Sequence, residues 1–299
     1  MHRPIIYDIL PRSFCTVSWC YLLKTYFMKK EASLLFFLVV TLIHVNAQAP
    51  QHKSHLEISI GPSFPVSHFA QDNINSSSSG FAKTGQAGNI SYSRLIGKRL
   101  GVAASLRGQR NPLNVHSMEE EFSKFEIPQG LWTVSNPGQP LPPLPTTTYP
   151  NWKFDKQSWL LGSLLVGAYG EFPTGNKKTS FIAKALIGAI YADVPGAEGM
   201  SITDTATASF VQTETHGFGF TYSVDAGFQF DISERLSLLT TLEYMGTNNV
   251  RFDAATATFT TTHGTPGTPE YGVSQSSVRG ELRQIISSIN LLVGIALRL

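Results

Sequence analysis

The stretch His216–Asp231 reads HGFGFTYSVDAGFQFD. Phe218, Phe220, Tyr222, Val224, Ala226, Phe228 and Phe230 fall on one face, and Gly217, Gly219, Thr221, Ser223, Asp225, Gly227 and Gln229 on the other. Alternation of this kind is the period of a β-strand, whose successive side chains point to opposite faces. The run is longer than the usual strand of a globular sheet. It covers the roughly 9–11 residues that a tilted strand needs to cross a bilayer.

The C-terminus repeats the pattern. Ile285, Ser287, Ile289, Leu291, Val293, Ile295, Leu297 and Leu299 share one face, opposed by Ser288, Asn290, Gly294, Ala296 and Arg298. An apolar terminal strand with an open edge invites aggregation, whereas a closed barrel pairs its last strand with its first. Six weaker segments join these two: 54–63, 87–96, 99–110, 158–171, 179–192 and 236–246. In 87–96, Arg94 falls on the face of Ile90 and Tyr92, and 158–171 is apolar on both faces, so neither pattern selects a register.

The connections decide between a soluble sheet and a barrel. Those at Ile96–Lys98, Phe172–Lys178 and Asp231–Arg235 are short and rich in turn residues. The others, about 64–86, 111–157, 193–215 and 247–283, are long, and the two kinds alternate. Even strand number with short turns at one end and long loops at the other is the plan of outer-membrane barrels. The expected fold is all-β: an eight-stranded antiparallel up-and-down transmembrane β-barrel within 48–299.

Composition agrees. Charged residues are 15% of the 299, below the roughly 25% of soluble domains. No apolar run reaches the length of about 20 residues that a membrane-spanning helix needs. Residues 1–49 hold five basic and two acidic residues, leaving 18 against 19 thereafter, a balance with no electrostatic footprint for nucleic acid. Cys15 and Cys20 both precede Met28, so the rest of the chain has no disulfide or thiolate metal site. Met28-Lys29-Lys30, the apolar run Leu34–Ile43 and the small residues of Val45-Asn46-Ala47 compose a secretory signal over 28–47, cut before Gln48. The apolar run is too short for an uncleaved anchor. Met28 reads as the initiator, and 1–27 as an extension outside the signal.

On the strand GFGFTYSVDAGFQF, the closing strand INLLVGIALRL and the signal, the chain over about 54–299 resembles the small outer-membrane β-barrels, OmpA- and OmpX-like, of Gram-negative bacteria. That resemblance implies a bacterial outer-membrane location, contact with outer-membrane lipid and lipopolysaccharide, and recognition of the C-terminal strand by the barrel assembly machinery. Members usually end in Phe, where this chain has Leu299. The sequence ends with the closing strand, so a peptidoglycan-binding domain, and the role that goes with it, is not expected here.

Glu57, Arg107, Lys184, Asp225, Glu243 and Arg298 fall on lumen faces, where charge is tolerated as it is not against lipid. They are read as a structural polar network rather than an ion path, because eight strands leave an interior that side chains can fill. Trp159, Tyr169, Tyr191, Tyr222 and Tyr244 read as interfacial girdles. His52, His55, His68, His116, His216 and His263 show no metal-ligand spacing. Gly170–Thr179 nearly spells a phosphate-binding loop, but Asn176 stands where that loop needs Lys. No cofactor motif is present. Glu214, His216 and Ser223 would be the residues of a lipid A-modifying hydrolase or acyltransferase, the enzymatic alternative. A soluble exported β-protein is the other. The leading expectation is a non-enzymatic barrel serving envelope structure or surface interaction. Its loops are read either as a binding surface with an unidentified ligand or as plain solvated connections, and the Pro-rich run at 136–150 as extended polyproline II.

Overall fold

A computed structural model describes residues 54–74, 76, 78–124, 126–128, 146–175, 178–203, 206–263 and 272–299. The signal at 28–47, the extension before it, and most of the Pro-rich run lie outside the described residues.

Eight long strands form the frame: β1 (Ser54–Pro65), β2 (Gly85–Leu95), β3 (Leu100–Pro112), β4 (Ser158–Pro173), β5 (Thr179–Val194), β6 (Thr215–Asp231), β7 (Leu236–Thr247) and β8 (Ser287–Arg298). Each pairs antiparallel with its sequence neighbours, and β1 pairs with β8 from His55↔Arg298 to Pro65↔Ser288. That last ladder closes the sheet into a barrel. Leu299 N–H donates to the Ser54 carbonyl at 2.9 Å, so the chain end is tied in as well. The strands occupy the segments that alternation predicts.

The barrel is inside out relative to a soluble protein. Phe218 is 68% exposed, Ile60 66% and Val224 55%, whereas Thr221, Gln229, Ser288 and Asn290 are fully buried. Outward positions hold no Asp, Glu, Lys or Arg between Arg94 near the turn end and Arg110 and Asp193 near the loop end. In β4 the ambiguity resolves with Trp159, Leu161, Leu165 and Tyr169 facing in and Leu160, Leu164 and Val166 facing out. Trp159 and Tyr169 are 3% and 1% exposed, so neither joins a girdle. They fill a lumen that is partly apolar. Tyr191 and Tyr244 do face outward.

At the turn end the connections are tight. Ile96 and Gly97 N–H both donate to the Leu100 carbonyl, and Ile232 and Ser233 N–H to that of Leu236.

The long loops are not plain solvated connections. The third loop folds into a hairpin, Ala197–Ile202 with Ala206–Gln212, and the fourth into another, Ala255–His263 with Gly272–Gly280. The two hairpins pair with each other, and Lys153–Phe154 adds the far edge, giving a five-stranded sheet. The second loop contributes helix α1 (Val115–Lys124), which buries Met118 and Phe122 one turn apart. Met118 and Phe122 pack with Trp152, Phe154, Ala208 and Phe210 in a core of their own. The loops therefore build a small folded head on the barrel.

Candidate functional site

The lumen charges lie on strands that the closed sheet sets opposite one another. Lys184 on β5 reaches Glu57 on β1, four strands away around the barrel, in a buried ion pair. Arg107 on β3 meets Glu243 on β7, again four strands away, at 2.5 Å. Two ion pairs thus cross the lumen as struts. Each end is supported. Ser91 and Ser93 hydroxyls donate to Glu57 at 3.0 and 3.2 Å, and Lys184 Nζ also donates to Ser91 Oγ at 3.0 Å. Arg107 donates to Gln109 Oε1 at 2.9 Å, and Asn290 Nδ2 to Glu243 at 2.8 Å. Burying charges in this way costs desolvation, which the pairing and these hydrogen bonds offset, although among the described residues Arg107 Nε has no hydrogen-bond partner. Asp225 lies between the struts, in register with Lys184 on one side and Glu243 on the other.

Arg298 does not join this group. It grips Asp231 through two contacts of 2.8 and 2.9 Å, with Glu171 at 3.9 Å, at the turn-end rim. Glu171 in turn lies 3.3 Å from His55 Nε2, and Ser237 donates to Asp231 at 2.8 Å. Sequence alternation puts Arg298 on the lumen face, and strand pairing sets it at the turn end of that face. His55, Asp231 and Glu171 were missed. They lie where alternation runs into a turn or the strand start, and there the pattern carries no signal.

Around the struts the lumen is filled. At the loop end Trp159, Leu161, Ile190, Met245 and Ile286 pack with Phe69 from the first loop and Phe252 from the fourth. Trp159 meets Phe69 edge-on at 5.3 Å, and its indole N–H donates to the Gly80 carbonyl at 2.9 Å. Leu165, Tyr169, Ile182, Leu186 and Leu239 form a second cluster in the turn-end half.

The residues of the enzymatic alternative come apart. His216 is on the outer face, 3.2 Å from Asp253 and stacked on Tyr191 with ring centroids 6.0 Å apart. Ser223 is buried in the lumen, seven residues and about 23 Å further along the same strand. A nucleophile and base must lie within hydrogen-bond reach, and these two sit on opposite sides of the sheet. The near-miss phosphate loop is a strand turn, in which Thr174 N–H and Oγ1 both donate to the Thr179 carbonyl. Its Asn176 and Lys177 lie outside the described residues.

Between the apolar plug of the barrel and the core of the head lies a partly enclosed cavity of about 310 Å³. Trp159, Val194 and Leu282 form its floor on the barrel side, and Met118, Phe122 and Phe210 line it from the head. Among the described residues, no charged side chain lines it. No single strand or loop carries this site, so no motif announced it.

No protein-family model and no curated protein matches the sequence. Among solved structures the chain is similar to Neisserial surface protein A, at 9% identity over 83% of this chain and 97% of that one, with a TM-score of 0.37. It is similar also to Ail, the attachment invasion locus protein of Yersinia pestis, at 12% identity over 82% and 99%, with a TM-score of 0.33. A major outer membrane protein from Thermus thermophilus aligns at 12% identity over 82% and 99%, with a TM-score of 0.38. At these TM-scores the likeness carries neither ligand nor activity. The fold of this chain rests on its own strand pairing: it is a closed, filled eight-stranded barrel with a folded head.

Proposed function

We propose that this chain is an integral protein of the Gram-negative outer membrane, a non-conducting anchor that presents its loop head for interaction at the cell surface. The observation that carries the reading is the inverted polarity of the barrel. An uncharged apolar belt surrounds buried Thr, Ser, Asn and paired charges, an arrangement that water penalises and lipid favours. Export by the signal at 28–47 and insertion through recognition of β8 by the assembly machinery belong to this reading. So do outer-membrane lipid and lipopolysaccharide as the belt's surroundings. A packed lumen argues against diffusion through it. The separation of His216 from Ser223 argues against lipid A hydrolysis.

Cell fractionation tests it. The folded chain should be recovered with outer membranes and should migrate faster on SDS gels unheated than boiled, as closed barrels do. Recovery in the soluble periplasmic fraction would overturn the membrane reading. A changed lipid A mass on deletion would overturn the non-enzymatic one.

A further inference from the structure

Protein interiors pack nearly as densely as organic crystals and leave few voids larger than a water. The cavity between barrel and head, about 310 Å³, is far above that. An engineered apolar cavity of about 150 Å³ stays dry and binds benzene, so one twice as large has room for a fused two-ring molecule. Most of its polar lining is already hydrogen-bonded within the protein. Gln284 Nε2 donates to the Ser78 carbonyl at 2.7 Å, and the Trp159 indole to that of Gly80. Ser76 Oγ bonds Ser78 Oγ at 3.0 Å, and Ser79 Oγ accepts the Asn73 N–H at 3.3 Å. The remaining surface is chiefly hydrocarbon from Phe81, Leu113, Met118, Phe122, Phe210 and Phe259, with the Gln212 amide beside it. Water needs two to four polar partners to be held in such a place, and this lining offers few. An uncharged apolar molecule loses nothing by entering.

We propose that the cavity between the barrel mouth and the loop head is a binding site for a small, uncharged, apolar molecule of one or two rings or a short hydrocarbon chain. The site deepens the surface-interaction reading by giving the head a ligand class. It requires the head to be folded on the barrel, but not any particular membrane around it. Aromatic rings from the first loop (Phe81), α1 (Phe122), the barrel (Trp159) and the head sheet (Phe210, Phe259) line it and favour a flat ring system, which offset and edge-on contacts accommodate. Among the described residues the lining carries no charge, which disfavours an anionic or cationic ligand, whose desolvation the lining would not offset.

The test uses the folded chain in lipid nanodiscs, with naphthalene as probe. Its fluorescence reports uptake above that of empty nanodiscs. Wild type should show a saturable component of one site per chain, whereas naphthalene-1-sulfonate should show none. Ala197→Phe fills the cavity from the head sheet and Met118→Trp from α1; each should abolish the saturable component. Unboiled gel migration is read first for each variant, so that an unfolded barrel is recognised and the other variant used. If both misfold, competition of naphthalene by unlabelled indole on wild type decides in their place, and lack of competition refutes a common site. No saturable uptake by wild type, or uptake undiminished in a folded filled variant, would overturn the proposal. Equal binding of the sulfonate would overturn its ligand class. Recovery of the chain outside the membrane would sink the anchor reading and leave this measurement unaffected.

Discussion

Lys184 and Glu57 meet in the lumen because β5 and β1 face each other across a narrow barrel, and their positions predict unequal losses. Lys184→Met leaves Glu57 buried with only Ser91 and Ser93 as partners. Breaking a buried pair in this way typically costs about 3–5 kcal/mol. Glu57→Gln should cost less, since Lys184 keeps its hydrogen bond to Ser91 and the carboxylate of Asp225 in register on β6. The double variant should recover much of the Lys184→Met loss, and urea unfolding in lipid vesicles would measure all three. Equal losses that simply add would mean that the strut carries no coupling. A second residue-scale prediction concerns Gly188, on the lumen face of β5 where it pairs with β4. A Cβ there would collide with the Leu164 carbonyl oxygen. Gly188→Ala should therefore destabilise by about 1–3 kcal/mol, as overpacking does, lowering the unboiled-to-boiled transition temperature on gels. Lumen charges were legible as residues, since alternation gives their face. Their partners were not, because opposition across a barrel depends on closure and stagger.

At the scale of elements, what was legible follows from periodicity. β6 and β8 each keep one apolar face through their length, so a single register suits lipid outside and polar groups inside. β4 lacked that contrast because Trp159, Leu161 and Leu165 fill the lumen while Leu160, Leu164 and Val166 face outward. The loop strands escaped for another reason. Ala255–His263 reads ATATFTTTH, a Thr-rich segment that looks like a solvated loop until Ala257 and Phe259 find Phe122 and Phe210 beneath them. Phe122 is the pivot of this head, with ring centroids 4.8 Å from Phe154, 4.9 Å from Phe210 and 5.3 Å from Trp152. Phe122→Ala should cost the head about 3–5 kcal/mol while leaving the barrel ladders whole, since local units open with their own free energies. Limited proteolysis of intact vesicles should then cut the loops faster, with the heat-modifiable shift unchanged. A lost shift would show head and barrel to be one cooperative unit.

For the whole molecule the question is whether a barrel so filled can pass ions, and its internal order gives an answer that separates two causes. The struts Glu57–Lys184 and Arg107–Glu243 cross the lumen, but they are not its only obstruction. Trp159, Ile190, Met245 and Ile286 close the loop end with hydrocarbon, and Leu165, Leu186 and Leu239 crowd the turn-end half. Ions shed hydration at great cost to cross such layers. Wild type in planar bilayers should therefore show no discrete conductance steps. Replacing both struts with serine should weaken the fold and still leave the bilayer silent, because the apolar clusters remain. Only a variant that also shortens the loop-end plug, with Trp159→Ala and Ile190→Ala added, has an interrupted upper layer, and steps are expected there first. Steps in wild type would refute the anchor reading, and steps on removing the struts alone would make the charges, rather than the plug, the seal of this barrel.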